Sequence, residues 1–141
     1  MPRDSAEAYF RKELVEELRV VENLVRKEPL IEKKIYYFSA AYGIFQRTHR
    51  FSFRPEYLLA DFVLTASHSL LLQRFTMIRS GDMTVTLVEK DFVPICDGLK
   101  ALSVSLFRNE PIQEALEAIL TAAYATSGPG NYQRERGSIK L

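Results

Sequence analysis

Two histidines, His49 and His68, and one cysteine, Cys96, are the chain's whole supply of imidazole and thiol groups in 141 residues. One cysteine excludes a disulfide within the chain and any cysteine-built zinc site. A transition metal held here would need carboxylates to complete its shell. The sequence holds no Gly-x-x-x-x-Gly-Lys-Ser/Thr loop, no Gly-x-Gly-x-x-Gly turn, no Gly-x-Ser-x-Gly elbow and no His-Glu-x-x-His pair. No catalytic set, metal set or cofactor is therefore assigned. Cys96 falls at the apolar edge of its segment and reads as a small buried hydrophobe.

Asp61 and His68 form the one pair with acid–base potential. Seven residues is two helical turns, so both lie on one face with Thr65 between them. That spacing is too long for direct contact, and a ligand or metal would have to bridge it. The simpler expectation is that each faces water or is satisfied by a neighbouring helix. Without an accompanying nucleophile or cofactor loop, an enzyme using this pair is the least favoured of three readings.

A second constellation sits between the second and third helices. Arg47, His49, Arg50 and Arg54 alternate there with Phe51, Phe53 and Tyr57. With Lys33 and Lys34, residues 32–54 carry five Lys/Arg against one acid, Glu32, a local +4 within a chain of net +1. Guanidinium forks bind phosphates and aromatic rings stack on bases. A helix beginning at Pro55 adds backbone amides that favour anions. Arg47, His49, Arg50, Phe51, Phe53 and Arg54 are thus the candidate ligand-binding residues, for nucleic acid or a phosphate ligand. The competing expectation turns both phenylalanines inward. It also spends the arginines on first-helix acids such as Glu13, Glu16 or Glu17.

The elements that must position these residues follow from periodicity. With 47% apolar and 26% charged residues, the chain can bury a core and form one domain. Nineteen basic and 18 acidic side chains exclude a globally basic nucleic-acid binder. Leu14, Leu18, Val21 and Val25 mark one stripe of a helix over about 5–27, stopped by Pro29. A second helix, about 30–46, is heavy in aromatics. A third, about 55–79, starts with Pro55 and ends at Gly81. Residues 83–107 carry two competing periods. Met83–Leu87 alternates like a strand, whereas Val85, Val88, Phe92, Ile95, Leu99, Leu102 and Leu106 share a helical face. The expectation is a helix kinked at Pro94 and bent or newly capped at Asp91, with a short extended segment near 83–88 as the alternative. A fifth helix, about 111–125, should be capped by Asn109.

The fold class is therefore all-α, an antiparallel bundle of about five helices. Residues 1–127 form a single helical domain and 128–141 a polar C-terminal tail. The N-terminus lacks the apolar core of a secretory signal. The most apolar stretch, residues 57–72, is too short to cross a bilayer. A cytoplasmic protein with no membrane association is expected.

The third helix bears on partners. One apolar face holds Leu59, Phe62, Val63, Ala66, Leu70 and Met77, the other Tyr57, Leu64, Leu71, Phe75 and Ile78. Polar lines separate them, one of which carries Glu56, Ser67 and Arg74. Either this helix is central to its own bundle, the first choice, or another chain covers its second face. The favoured function is a non-catalytic helical binding module that self-associates, as an interaction or scaffold protein. Its contact should use the second or third helix and bury more than about 1,000 Å². Nucleic-acid or phosphate binding through the connector is the second reading.

Overall fold

The computed structural model describes residues 3–49, 54–126 and 141. It contains five α-helices: α1 (Arg3–Lys27), α2 (Ile31–His49), α3 (Pro55–Arg79), α4 (Phe92–Phe107) and α5 (Gln113–Ala125). One 3₁₀ turn, Glu89–Asp91, precedes α4, and there is no strand among the described residues. The expected stripe of α1 is the buried one, with Leu14, Leu18, Val21 and Val25 all in the core.

The main helix contacts run α1–α2, α2–α3, α3–α5, α5–α4 and α4–α1, so the helices close into a ring. Short connections make α1–α2, α2–α3 and α4–α5 antiparallel. The α1–α4 joint is antiparallel too. Arg26 at the end of α1 pairs with Asp97 near the start of α4 at 3.0 Å, and Arg19 lies 5.6 Å over the ring of Phe107 at its end. A ring of five cannot alternate all the way round, so α3 and α5 must run parallel. Their N-terminal residues accordingly line one cleft.

The ring also decides the place of α3, and it corrects the expectation of a central helix. Its core face is Ala60, Val63, Leu64, Ser67 and Leu71, all buried. Ser67, expected on a polar line, faces inward and returns its hydroxyl proton to the Val63 carbonyl at 2.8 Å. The opposite face, with Leu59, Phe62 and Ala66, is exposed.

Residues 83–107 need a second correction. No helix precedes Pro94 by more than one turn. After a turn at Thr84 the chain forms neither helix nor strand from Val85 to Val88, where it is extended, with Val85 and Leu87 buried and Thr84, Thr86 and Val88 exposed. Period-2 alternation therefore wins over helical phase here, without a partner strand. The reason is Pro94. As the third residue of α4 its missing N–H costs nothing, but its ring opposes α-helix running back through the preceding turn, which is 3₁₀ instead. The expected helix on both sides of a kink becomes a helix that starts there. Asp91 stands at the N-terminal boundary of α4 and accepts the Val88 N–H at 2.9 Å, closing the 3₁₀ turn.

Asn109 is likewise not the cap of α5. It sits at φ 55°, in the left-handed region, one residue beyond the C-cap of α4. Its N–H donates to Leu106 O at 3.1 Å and that of Glu110 to Ser105 O at 2.8 Å, a pairing that closes the end of α4. Gly81 (φ 92°) ends α3 in the same way. Helix α5 starts only at Gln113, and no side chain caps it.

Two buried contacts lock the ring. Lys34, 1% exposed, sends its ammonium back to the C-terminus of α1, to Val25 O at 2.7 Å and Arg26 O at 3.4 Å. There it meets carbonyls that have no partner within the helix, at the negative end of the dipole. Phe92 covers it, with the ammonium 5.6 Å from the ring centroid. Gly98 brings α4 against α5. A Cβ there would stand 2.5 Å from Ile119 Cγ1.

Lys34→Met keeps the apolar stem but leaves those carbonyls bare, and should cost about 1–3 kcal/mol in urea denaturation with an unchanged m-value. Gly98→Val should cost about 1–3 kcal/mol by overpacking the α4–α5 contact, read by the same titration. A stability equal to wild type in either variant would contradict the contact it removes.

Candidate functional site

The two sequence-derived constellations separate in space. Asp61 is buried, and its Oδ1 accepts from Gln46 Nε2 at 3.0 Å and from Thr65 Oγ1 at 3.2 Å. His68 lies two turns further on, against α2. Its ring stacks on Phe38 at 6.4 Å between centroids and meets Tyr42 edge-on at 5.5 Å. Burial pushes the imidazole below its usual value, while a hydrogen bond with the Ile35 backbone works against that shift. Each group is thus held by its own set of neighbours, and none of these contacts joins the pair.

The connector residues are placed as follows. Arg47 pairs with Glu17 of α1. Arg54 pairs with Glu7 at 2.9 Å and Glu56 at 2.5 Å, and its guanidinium lies 5.4 Å over the Tyr57 ring. The backbone of His49 ends α2. Arg50, Phe51 and Phe53 lie outside the described residues. Lys34, counted in the local excess of positive charge, is withdrawn into the core.

Cys96 is fully buried, and burial pushes its thiol up to about 11. At neutral pH it is a protonated thiol packed beside Phe92, not a nucleophile. Among the described residues no group of three His, Cys, Asp or Glu side chains could hold a metal ion. No helix there is long and apolar enough to cross a membrane.

What the geometry does bring together is apolar. A groove of about 670 Å³ runs between α2 and α3, walled by Leu30, Tyr36 and Tyr42 on one side and His68, Leu72 and Phe75 on the other. Tyr36 is 71% exposed at its rim. Glu32 and Lys33 edge the open end, where Glu32 approaches Arg79 at 4.0 Å. Toward the other end of α3, Leu59, Phe62 and Ala66 form a ridge at spacings of three and four. Phe62 is 61% exposed at its crest. Sequence periodicity showed the doubled apolar face of α3. It did not show the groove, because that needs the angle at which α2 lies against α3.

A scan against protein-family models finds no match for this sequence, and searches of curated proteins and of solved structures find none either.

His68 gives the site a pH signature. In the unfolded chain it takes a proton near its ordinary value of about 6.5, but in the folded chain only at lower pH. Between the two values the unfolded state binds more protons, so stability is lost as pH falls from about 6.5 through the folded value. Thermal melts from about pH 7 down to about pH 5 should show a smaller decline for His68→Gln than for wild type. Parallel declines would refute the assignment.

Proposed function

We propose that this protein is a non-catalytic helical module that self-associates, acting as an interaction or scaffold protein through the outer surface of α2 and α3. The observation that carries the reading is the ridge of Leu59, Phe62 and Ala66 on the solvent side of α3, opposite its core face. A monomer derives nothing from holding a phenylalanine there, and contiguous exposed apolar surface on a small domain marks a contact site.

The groove on the α2 flank of α3 offers a complement to the ridge. From Phe62 to Leu72 is ten residues, about 15 Å along the helix axis. Two copies related by a two-fold axis can therefore set the ridge of each into the groove of the other, between Tyr36 and Leu72. Such an interface is self-complementary and closed, with no free face to propagate. Its centre would hold Phe62 and Tyr36, the residue types that anchor interfaces. Glu32, Lys33 and Arg79 would lie on its polar rim.

Size-exclusion chromatography with light scattering should give about twice the 16.2 kDa chain mass at high protein concentration. Phe62→Asp should weaken the dimer by at least about 2 kcal/mol, roughly thirtyfold, with an unchanged far-ultraviolet circular dichroism spectrum. A wild-type chain that stays monomeric at high concentration would end the proposal. So would a Phe62→Asp variant that dimerises as well as wild type.

A further inference from the structure

One imidazole stands in the wall of the apolar groove between α2 and α3. His68 is half-buried there, with Leu72 and Phe75 on its own helix and Leu30, Tyr36 and Tyr42 on the α2 side. The fully buried Phe38 stacks on its ring and Tyr42 meets it edge-on, so the ring is held in place from within the fold.

The charges around the groove do little for a protonated ring. Among the described residues no carboxylate pairs with His68. On α2 the groove carries Glu32 and Lys33, both exposed, together with the phenols of Tyr36 and Tyr42. Arg79, at the end of α3, approaches Glu32 at 4.0 Å, so that carboxylate has a cation of its own. Asp61, two turns away on α3, is engaged by Gln46 and Thr65. No described residue of α1, α4 or α5 lines the groove. A hydrogen bond with the Ile35 backbone favours the proton, and burial outweighs it.

A second copy would tilt this balance further. The ridge it brings, Leu59, Phe62 and Ala66, has no charge and no hydrogen-bonding side chain. Seated in the groove, it would take water from the imidazole and give no acceptor in return. A neutral ring loses little by that exchange, whereas a charged ring loses its solvation. The two-fold arrangement puts one His68 in each of two grooves, so the penalty counts twice per dimer.

We infer that His68 makes self-association sensitive to pH: two copies dock while its ring is neutral and part when it takes a proton. The inference rests on the docking of ridge into groove proposed above. By linkage, the monomer binds protons more readily than the dimer, so falling pH favours the monomer. Dimerisation must in turn keep the imidazole neutral to lower pH.

Sedimentation velocity on the full chain, from about pH 7.5 in steps down to about pH 5, measures the effect, with circular dichroism at each step to verify that the helices persist. The dimer Kd should rise about tenfold or more across that range. In His68→Gln it should change by less than about threefold. His49→Gln, which removes the other imidazole, should follow wild type. A second measurement needs no change at His68. Followed by nuclear magnetic resonance, the His68 ring should titrate at lower pH in the wild-type dimer than in Phe62→Ser, which loses the crest of the ridge without gaining charge. A wild type that is monomeric at high concentration and about pH 7.5 overturns the self-association and this inference with it. A wild-type dimer whose Kd stays constant, a pH dependence retained in His68→Gln, or equal His68 titration in dimer and Phe62→Ser monomer leaves the self-association standing and overturns the role of His68.

Discussion

The odd number of helices is the constraint from which the rest of the structure follows. Antiparallel neighbours set each helix dipole against the next and allow short connections. Five helices in a closed ring can satisfy that at four joints only. The exception falls between α3 and α5, which are joined through α4 rather than directly. Running parallel, they place two uncapped N-termini side by side. The charges at that end answer the arrangement. Glu56 stands in the first turn of α3, Glu114 in that of α5, and Glu7 is tied to α3 through Arg54.

The other end of the ring gathers the C-termini of α1 and α3, and there the signs reverse. Arg26 and Lys27 occupy the last turn of α1, and Arg79 that of α3. Surface charges of this kind contribute only tenths of a kcal/mol each. Lys34 differs because it is buried. Its ammonium stands directly on the last carbonyls of α1 under the Phe92 ring, where water cannot substitute for it. It fastens α1, α2 and the start of α4 at one point. Arg26, exposed beside it, bridges α1 to α4 through Asp97. Removing the buried partner leaves bare carbonyls behind, whereas removing the exposed one leaves groups that water can solvate.

The sequence makes the helices legible because each core face obeys a 3.6-residue period over three or more turns. Helix α3 is found at its true ends, Pro55 and Arg79, since proline at the start and glycine beyond the end are both local signals. Failures cluster where two local signals compete. Before Pro94, helical phase groups Val85 with Val88 while alternation groups it with Leu87, and the steric demand of a proline ring decides between them. At Asn109 the side chain suits either an N-cap or a left-handed residue, and the end of α4 takes it first. Lys34 was invisible for a different reason. Nothing in Lys33-Lys34 distinguishes the residue pointing at water from the one pointing at a helix terminus nine residues upstream. The cleft beside Tyr57 is equally non-local, since its walls come from four helices.

The helices that flank α3 are of unequal length. Helix α3 has 25 residues and α5 only 13, about 37 Å against about 20 Å. Because their N-termini are level, α5 covers only the first half of α3. The 85–88 segment turns Val85 and Leu87 inward. Neither α5 nor that segment reaches the outer face of α3, which points away from the ring. A helix in this position would ordinarily be polar on that side. Instead Leu59, Phe62 and Ala66 lie outside, at a cost in solubility that folding alone does not explain. The core face of α3 is already complete without them, with Leu64 and Leu71 fully buried. The ridge adds nothing to that core, and in the proposed dimer it would be seated in the groove of a second copy.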